Sequence, residues 1–332
     1  MELLRIVTMF LIVILHLDIF LLEEPQYYSN QPFVQYYIYF IKSLAIIGVN
    51  VFIMLSGWYG ITFKWKRFCF LWLQVIYFTF IGILFNFITN GDWIDLKSIL
   101  YFLFQMDQRA YGFFQSYIIL YIFSPILNLF TQNNNKNSVP VFLCFFFTIQ
   151  FLWGCLSWGY IYFGNGYSAL SFMGIYILAR YAHIKKVHKK FTHYHWGGLY
   201  FLSSIILSTI AFTSVNHTYI HNLAYSYASP LVIISSFALL AFFSRLEFYN
   251  KMTNKIAKHC FAIYLFHMNY YVLPKIISYC KDFGMQDDFS TFNKYFLLTC
   301  TLIFVISFFL DILFLFLYNT INHITTRYEN HM

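Results

Sequence analysis

Two basic side chains near the amino terminus, Arg5 and His16, have the chemistry to bind an anion and to move a proton. A neutral histidine is a common general base, and an arginine guanidinium binds phosphate through two parallel hydrogen bonds. The two residues are eleven positions apart. Eleven residues of α-helix turn through about 1100°, some 20° past three full turns, and rise about 16 Å. The spacing therefore predicts that both side chains lie on one helix face, at different depths.

A third candidate, His267, lies in the middle of a long apolar stretch, and Tyr264 shares its helix face. An ionisable side chain in such surroundings marks either a functional site or a satisfied structural pair. Both interpretations stay open for His267 and His16, and Arg5 alone is also typical of an orientation anchor. We expect His267 to line the same cavity as His16. Asp311 is an acidic residue within the last apolar stretch, and the sequence suggests no partner for it.

The sequence does not favour metal catalysis. Its six cysteines include no C-x-x-C pair and no cysteine–histidine spacing typical of a zinc site. The chain also has none of the GxGxxG, HExxH, GxSxG or P-loop patterns. The ionisable residues instead suit general-base catalysis by a histidine, or proton-coupled transport.

The elements that must position these side chains are membrane-spanning helices. Hydrophobic residues make up 60% of the 332 positions and charged residues 10%, against about 45–50% and 25% in an average protein. A soluble fold of this size has no means of covering so much apolar surface, so we predict an all-α, multi-pass integral membrane protein. The net charge of +8 is typical of basic cytoplasmic loops, so no nucleic-acid partner is expected.

Ten apolar stretches are predicted to cross the membrane within a single transmembrane domain covering 1–332. Two further segments, 33–42 and 99–106, are too short to cross alone and are predicted to be interfacial or re-entrant. The predicted spans are about 3–22, 43–62, 68–89, 113–130, 139–157, 167–181, 197–216, 227–246, 259–278 and 295–318.

Basic residues alternate between the loops in a way that supports this layout. With the amino terminus inside, most of the 21 lysines and arginines fall on the cytoplasmic side, as the positive-inside rule requires. Both termini are therefore predicted to be cytoplasmic. The cytoplasmic set comprises Arg5, Lys64, Lys66, Arg67, Lys136, Arg180, Lys185, Lys186, Lys189, Lys190, Arg245, Lys251, Lys255, Lys258 and Arg327.

The order of five motifs resembles acyltransferase family 3, whose members O-acylate bacterial surface glycans. The first is the arginine, ten residues, then histidine of the first span. The others are Phe-x-x-x-Ser-Gly, an aromatic segment ending in proline, Phe-x-Gly and Tyr-Leu-x-His. The matching residues after Arg5 and His16 are Phe52, Ser56, Gly57, Pro125, Phe172, Gly174, Ala179, Tyr264, Leu265 and His267.

This resemblance implies a membrane O-acyltransferase of the bacterial cytoplasmic (inner) membrane. The donor would be cytosolic acetyl-CoA or another acyl-CoA, and the acceptor a hydroxyl of a cell-surface or lipid-linked polysaccharide. His16 would be the general base and Arg5 a ligand of the donor phosphates. His267 would orient the acceptor hydroxyl or donate to the oxyanion. No metal is implied, and the resemblance leaves the acyl group, the sugar and the oligomeric state open.

One departure from the family concerns a cytoplasmic loop. Many members carry Arg-x-x-Arg after the second span, where this chain has Lys64 and Arg67. The resemblance implies donor binding by these two residues, although the first of them is lysine where the family has arginine. A later basic run suits either membrane orientation or attraction for donor phosphates and anionic lipid. That run consists of Lys185, Lys186, Lys189 and Lys190.

Two other functions compete with acyl transfer. A transporter or flippase for a lipid-linked glycan would be favoured by inverted repeats and by charges placed through several spans. A polysaccharide polymerase would be expected to carry a large outer loop with paired arginines. The sequence shows none of these features.

Overall fold

The computed structural model describes residues 1–21, 31–91, 95–106, 111–133, 138–157, 162–284 and 289–329, and most of these residues are helical. No strand occurs among these residues. Their α-helices are α1 (Glu2–Leu21), α2 (Pro32–Ala45), α3 (Gly48–Tyr59), α4 (Trp65–Asn90), α5 (Leu96–Leu103), α6 (Gly112–Asn133), α7 (Ser138–Ile149), α8 (Ala169–Ile184), α9 (His193–Thr213), α10 (Thr218–Ala224), α11 (Pro230–Ser244), α12 (Lys251–Ala257), α13 (Cys260–His267), α14 (Leu273–Gly284) and α15 (Phe289–Glu329). A π-helical segment (Gln150–Leu156) follows α7, and 3₁₀ turns form at Gly164–Gly166 and Val187–Lys190.

Six helical stretches of the described residues are long and apolar enough to cross a membrane. The prediction of an all-α membrane protein is therefore confirmed, whereas the count of ten spans and the cytoplasmic termini stay predictions. Two shorter apolar helices, α8 and α11, add to the six. The six are Pro32–Tyr59, Trp65–Asn90, Gly112–Gln132, Ser138–Leu156, His193–Thr213 and Asn293–His323.

The second predicted span begins about ten residues earlier than the apolar pattern indicates. The segment 33–42, predicted to be interfacial or re-entrant, forms most of α2, and a turn at Ile46 and Ile47 with right-handed helical backbone angles joins it to α3. Its polar residues lower the hydropathy of the segment, but they pack inside the fold. Tyr39 is buried, and the Tyr36 hydroxyl pairs with Ser208 and Thr209 of α9.

The predicted span at 259–278 is wrong as one continuous helix. α13 ends at His267 and α14 begins at Leu273. Pro274 cannot donate to a carbonyl one turn earlier, which favours a new helix start. The side chain of Asn269 also accepts a hydrogen bond from the backbone N–H of Tyr271 at 3.0 Å, as in an Asx turn. The break therefore has a local chemical cause.

The helices form two compact units. The first comprises 1–64 and 112–250, and the second comprises 65–111 and 251–332. In the first unit, α9 packs against α2 and α11, and α8 packs against α3 and α6. In the second unit, α13 packs against both α4 and α15.

Small residues of two family-like motifs are packing points in the first unit. A Cβ atom at Gly57 of α3 would collide with the backbone carbonyl of Tyr176 on α8. A Cβ at Gly174 of α8 would collide with the ring of Phe146 on α7. Small residues let membrane helices approach this closely, so these motif glycines set the position of α8.

Candidate active site

Arg5 and His16 belong to one uninterrupted helix, α1. The shared face and the rise of about 16 Å between them therefore follow from regular helix geometry. His16 is partly buried, and α1 packs against α2 and α3. The structure thus brings these two candidates together on one helix, while their chemical roles stay predictions.

The guanidinium of Arg5 is occupied by a local ion pair. Its Nη1 atom donates to Glu2 Oε2 at 2.8 Å, and both side chains are about one-third exposed (33% and 32%). An ion pair this accessible to solvent contributes only about 0–1 kcal/mol. Glu2 therefore holds Arg5 near the helix start weakly enough that a phosphate group could replace it.

The chain that follows α3 is held by side chains of α6 and α8. The backbone N–H of Ile61 donates to the Tyr176 hydroxyl at 2.8 Å, and Asn128 Nδ2 donates to the Ile61 carbonyl at 2.7 Å. The backbone N–H of Lys64 donates to the Tyr121 hydroxyl at 3.0 Å. The Lys64 ammonium group itself is exposed. Its backbone is thus fixed while its side chain is available to a ligand.

Arg67 lies in the first turn of α4 and is exposed. It belongs to the second unit, whereas Lys64 ends the first. The donor-binding role that the resemblance implies for this pair therefore stays a prediction.

His267 ends α13 and is almost completely buried, at 1% exposure. Its Nδ1 atom is 2.6 Å from the carbonyl oxygen of Ile263, one helical turn earlier. A carbonyl can only accept, so Nδ1 carries a proton and donates. In the neutral ring, Nε2 then has the lone pair, and it can accept a proton or a hydrogen bond.

Two residues that the sequence did not single out hold the carboxyl end of α13. Asn269 Nδ2 donates to the Phe78 carbonyl at 2.9 Å and to the Tyr111 hydroxyl at 3.0 Å. The Tyr111 hydroxyl in turn donates to the Leu265 carbonyl at 2.8 Å. Their contacts join positions far apart in the chain, so no local pattern could have revealed them.

Asp311, which the sequence left without a partner, is paired inside the second unit. Its two carboxylate oxygens lie 2.6 Å from Gln74 Nε2 and 2.6 Å from His259 Nδ1. The His259 and Asp311 side chains are 6% and 2% exposed. Burial of an unpaired carboxylate is very costly, so this pairing accounts for the presence of an acid in α15.

His16 and Arg5 lie in the first unit, and His267 lies in the second. The expectation that His16 and His267 line one cavity stays a prediction. No group of three or more histidine, cysteine or acidic side chains suited to a metal ion occurs among the described residues.

Comparison with known proteins identifies the chain at the level of the family. It matches no curated protein and no solved structure. A family model described as an acyltransferase domain matches residues 1–319. The match includes α1 with Arg5 and His16, and α13 with His267. Because this match covers nearly the whole chain and the fold is helical and apolar, the chain belongs to acyltransferase family 3 and is a membrane acyltransferase.

Proposed function

We propose that this protein transfers an acyl group, such as acetyl, from cytosolic acyl-CoA to a hydroxyl of a cell-surface or lipid-linked polysaccharide in the bacterial cytoplasmic membrane. His16 acts as the general base, and Arg5 binds a phosphate of the donor. The observation that supports the proposal is the unbroken helix α1, in which regular geometry puts an arginine and a histidine on one face.

The chemistry requires one proton acceptor at the thioester. The acceptor hydroxyl attacks the thioester carbonyl as His16 takes its proton, and a C–O bond forms. The tetrahedral intermediate then collapses, the C–S bond breaks, and the thiolate leaves. A thiol is far more acidic than an alcohol, so the leaving group needs little help, whereas the attacking hydroxyl needs a base.

The length of α1 suits the shape of the donor. The rise of about 16 Å from Arg5 to His16 is about half of a hydrocarbon core of roughly 30 Å. A phosphate bound at Arg5 would let the extended pantetheine arm run along α1 and place the thioester at His16. The acyl group would then enter from the cytoplasmic side and leave on the other.

The hydrogen bond of His267 narrows its role. Donation from Nδ1 to the Ile263 carbonyl leaves Nε2 of the neutral ring as an acceptor. An oxyanion needs a hydrogen-bond donor, so this form of His267 does not suit oxyanion stabilisation. It suits orientation of the acceptor through a second hydroxyl of the same sugar, from which Nε2 would accept, because the single proton of the attacking hydroxyl goes to His16.

The test compares two histidine variants of the reconstituted protein with radiolabelled acetyl-CoA and lipid-linked glycan. His16→Ala is expected to lower turnover by about 10²–10⁴-fold, the usual contribution of acid–base catalysis. His217→Ala is the matched control, because His217 is exposed at the start of α10, and it should leave turnover unchanged. Near-normal turnover of folded His16→Ala protein would overturn the assignment of the base.

The acceptor is identified by mass spectrometry of surface glycan. A deletion strain is expected to lose an acyl-sized mass from its glycan, and the complemented strain to regain it. Complementation with the His16→Ala gene should fail to restore that mass, and identical glycans in all strains would contradict a polysaccharide acceptor.

A further inference from the structure

A group of basic side chains surrounds the carboxyl end of α3. We call Arg180, His183, His188 and Arg245, together with the indole of Trp58, the Arg180–His188 cluster. The Trp58 ring lies edge-on to both imidazoles, with centroid distances of 4.5 Å to His183 and 4.8 Å to His188. The two imidazoles are nearly parallel, 6.3 Å apart. The indole thus holds two histidines side by side.

Arg180 is seated against the last turn of α3. Its Nη1 atom donates to the carbonyl oxygens of Trp58 at 3.4 Å and Tyr59 at 3.1 Å. Gly60, with φ at +77°, lets the guanidinium approach the backbone, since a Cβ there would come within 2.8 Å of it. The Nε atom is buried and has no hydrogen-bond partner in the described part of the chain. Capping of α3 therefore uses one nitrogen and leaves Nε unsatisfied.

His188 is the most deeply buried ionisable side chain of the cluster. It lies in the 3₁₀ turn Val187–Lys190, where its carbonyl accepts from Trp196 Nε1 at 3.0 Å. The side chain is 8% exposed, and Nδ1 is buried with no partner among the described residues. Burial lowers the pKa of His188, and the nearby charges of His183, Lys189 and Arg245 lower it further. The imidazole is thus neutral at pH 7, and the positive charges around it would favour a bound anion.

No acid of the described chain neutralises these groups within 4.0 Å. The ion pairs seen there join Arg5 to Glu2 and His259 to Asp311, and neither involves the cluster. Arginine in a partly buried site without a counter-ion is unfavourable. Orientation in the membrane explains the exposed lysines Lys185, Lys186, Lys189 and Lys190. It does not explain the burial of His188 against an indole ring or the unsatisfied Nε atom of Arg180.

Arg180 and Arg5, the residue that the proposed mechanism assigns to the donor, both belong to the first unit. Arg180 binds the carbonyls of Trp58 and Tyr59 at the end of α3, and Arg5 lies on α1, a helix that packs against α3.

We propose that the Arg180–His188 cluster is a phosphate-binding site, which in the acyl transfer proposed above holds a phosphate of acyl-CoA. The guanidinium of Arg180 supplies the planar fork that phosphate prefers, and His188, which packs on the ring of the same Trp58 whose carbonyl Arg180 binds, supplies a ring N–H donor. This assignment rests on the proposed function for the identity of the ligand. The phosphate of an anionic lipid headgroup has the same chemistry and is the other source to be distinguished.

The experiment measures binding of radiolabelled CoA to the full-length protein in phosphatidylcholine nanodiscs, with and without phosphatidylglycerol. Arg180→Gln and His188→Gln are each expected to weaken CoA binding about 10- to 100-fold, the usual cost of a lost charged hydrogen bond. Lys190→Gln is the matched control from the same basic run, and it should change binding less than about twofold. Competition by pantetheine, which has no phosphate, should be equal in all four proteins, which separates phosphate binding from loss of folding.

The outcomes separate this site from the reaction. Wild-type CoA affinity in both Arg180→Gln and His188→Gln, with no change in the preference for phosphatidylglycerol, would overturn the phosphate site. The wild type could instead bind no CoA while the Arg180→Gln and His188→Gln variants lose a preference for phosphatidylglycerol that the wild type has. That result would support the phosphate site, assign it to a lipid headgroup, and contradict acyl-CoA as donor. CoA binding that depends on Arg180 while His16→Ala remains fully active would support the site and contradict the proposed base.

Discussion

Each of the two units contains a buried histidine beside charged groups, but the two histidines have opposite surroundings. In the second unit, His259 lies 2.6 Å from Asp311, which also accepts from Gln74. In the first unit, His188 lies near the charges of His183, Lys189 and Arg245, and no acid of the described residues forms an ion pair with it. The His259–Asp311 pair is satisfied inside the fold, whereas the Arg180–His188 cluster forms no ion pair with an acid of the described residues. We therefore interpret the first as structural and propose the second as a binding site.

The largest expected effect comes from breaking the internally paired region. Asp311→Ala leaves the buried Gln74 amide and His259 ring without their acceptor, and loss of one partner of a buried pair costs about 3–5 kcal/mol. We expect a corresponding fall in the free energy of unfolding, measured by denaturant titration in detergent. Glu247→Ala, at an exposed acid, is the control and should change it by less than about 0.5 kcal/mol. A stable Asp311→Ala protein would mean that the carboxylate is not needed in the fold.

A medium effect is expected from displacing Arg180 without removing its charge. Gly60→Ala places a Cβ against the guanidinium and forces a residue other than glycine into positive φ. CoA affinity should fall about tenfold, because the lost contact is one charged hydrogen bond, while pantetheine affinity should not change. Gly198→Ala in α9 meets no neighbouring atom within 4 Å and is the matched control. Equal CoA affinity in both alanine variants would show that the contact between the Arg180 guanidinium and Gly60 has no part in binding.

The smallest expected effect is a pH dependence of donor binding. His188 has its pKa lowered by burial and by His183, Lys189 and Arg245, so it is neutral at pH 7 and gains a proton only as the pH falls. The added positive charge favours a bound phosphate by about 1 kcal/mol, or roughly fivefold in affinity. CoA binding should therefore tighten between pH 7.5 and pH 5.5 relative to His188→Gln. In His188→Gln the CoA phosphates and His183 still change protonation with pH, so only the contribution of His188 is removed. Parallel pH profiles of CoA affinity in the wild type and the variant would contradict a role for His188.

The helical periodicity of the sequence was enough to predict the face shared by Arg5 and His16, because both residues lie within one helix and geometry over eleven positions is local. Hydropathy similarly predicted α4, α6 and α9, which expose large apolar side chains. It failed at α2, where polar residues such as Tyr36 and Tyr39 lower the mean hydropathy of a helix that packs inside the fold. It also missed the interruption between α13 and α14 at 268–272, because hydropathy does not report the hydrogen bonds of Asn269 that form there.

The sequence by itself determined the class of protein, since an all-helical membrane protein follows from composition and the family from five motifs in order. Only the tertiary structure decided which charges are neutralised. The partners Gln74 and Asp311 are 237 positions apart, and Arg180 lies 122 positions from Trp58, whose carbonyl it binds. Periodicity reports which side of a helix a residue occupies. It carries no information on which distant side chain packs against that side. In the low-dielectric interior, that contact decides whether a charged group has a partner within the fold or has none there.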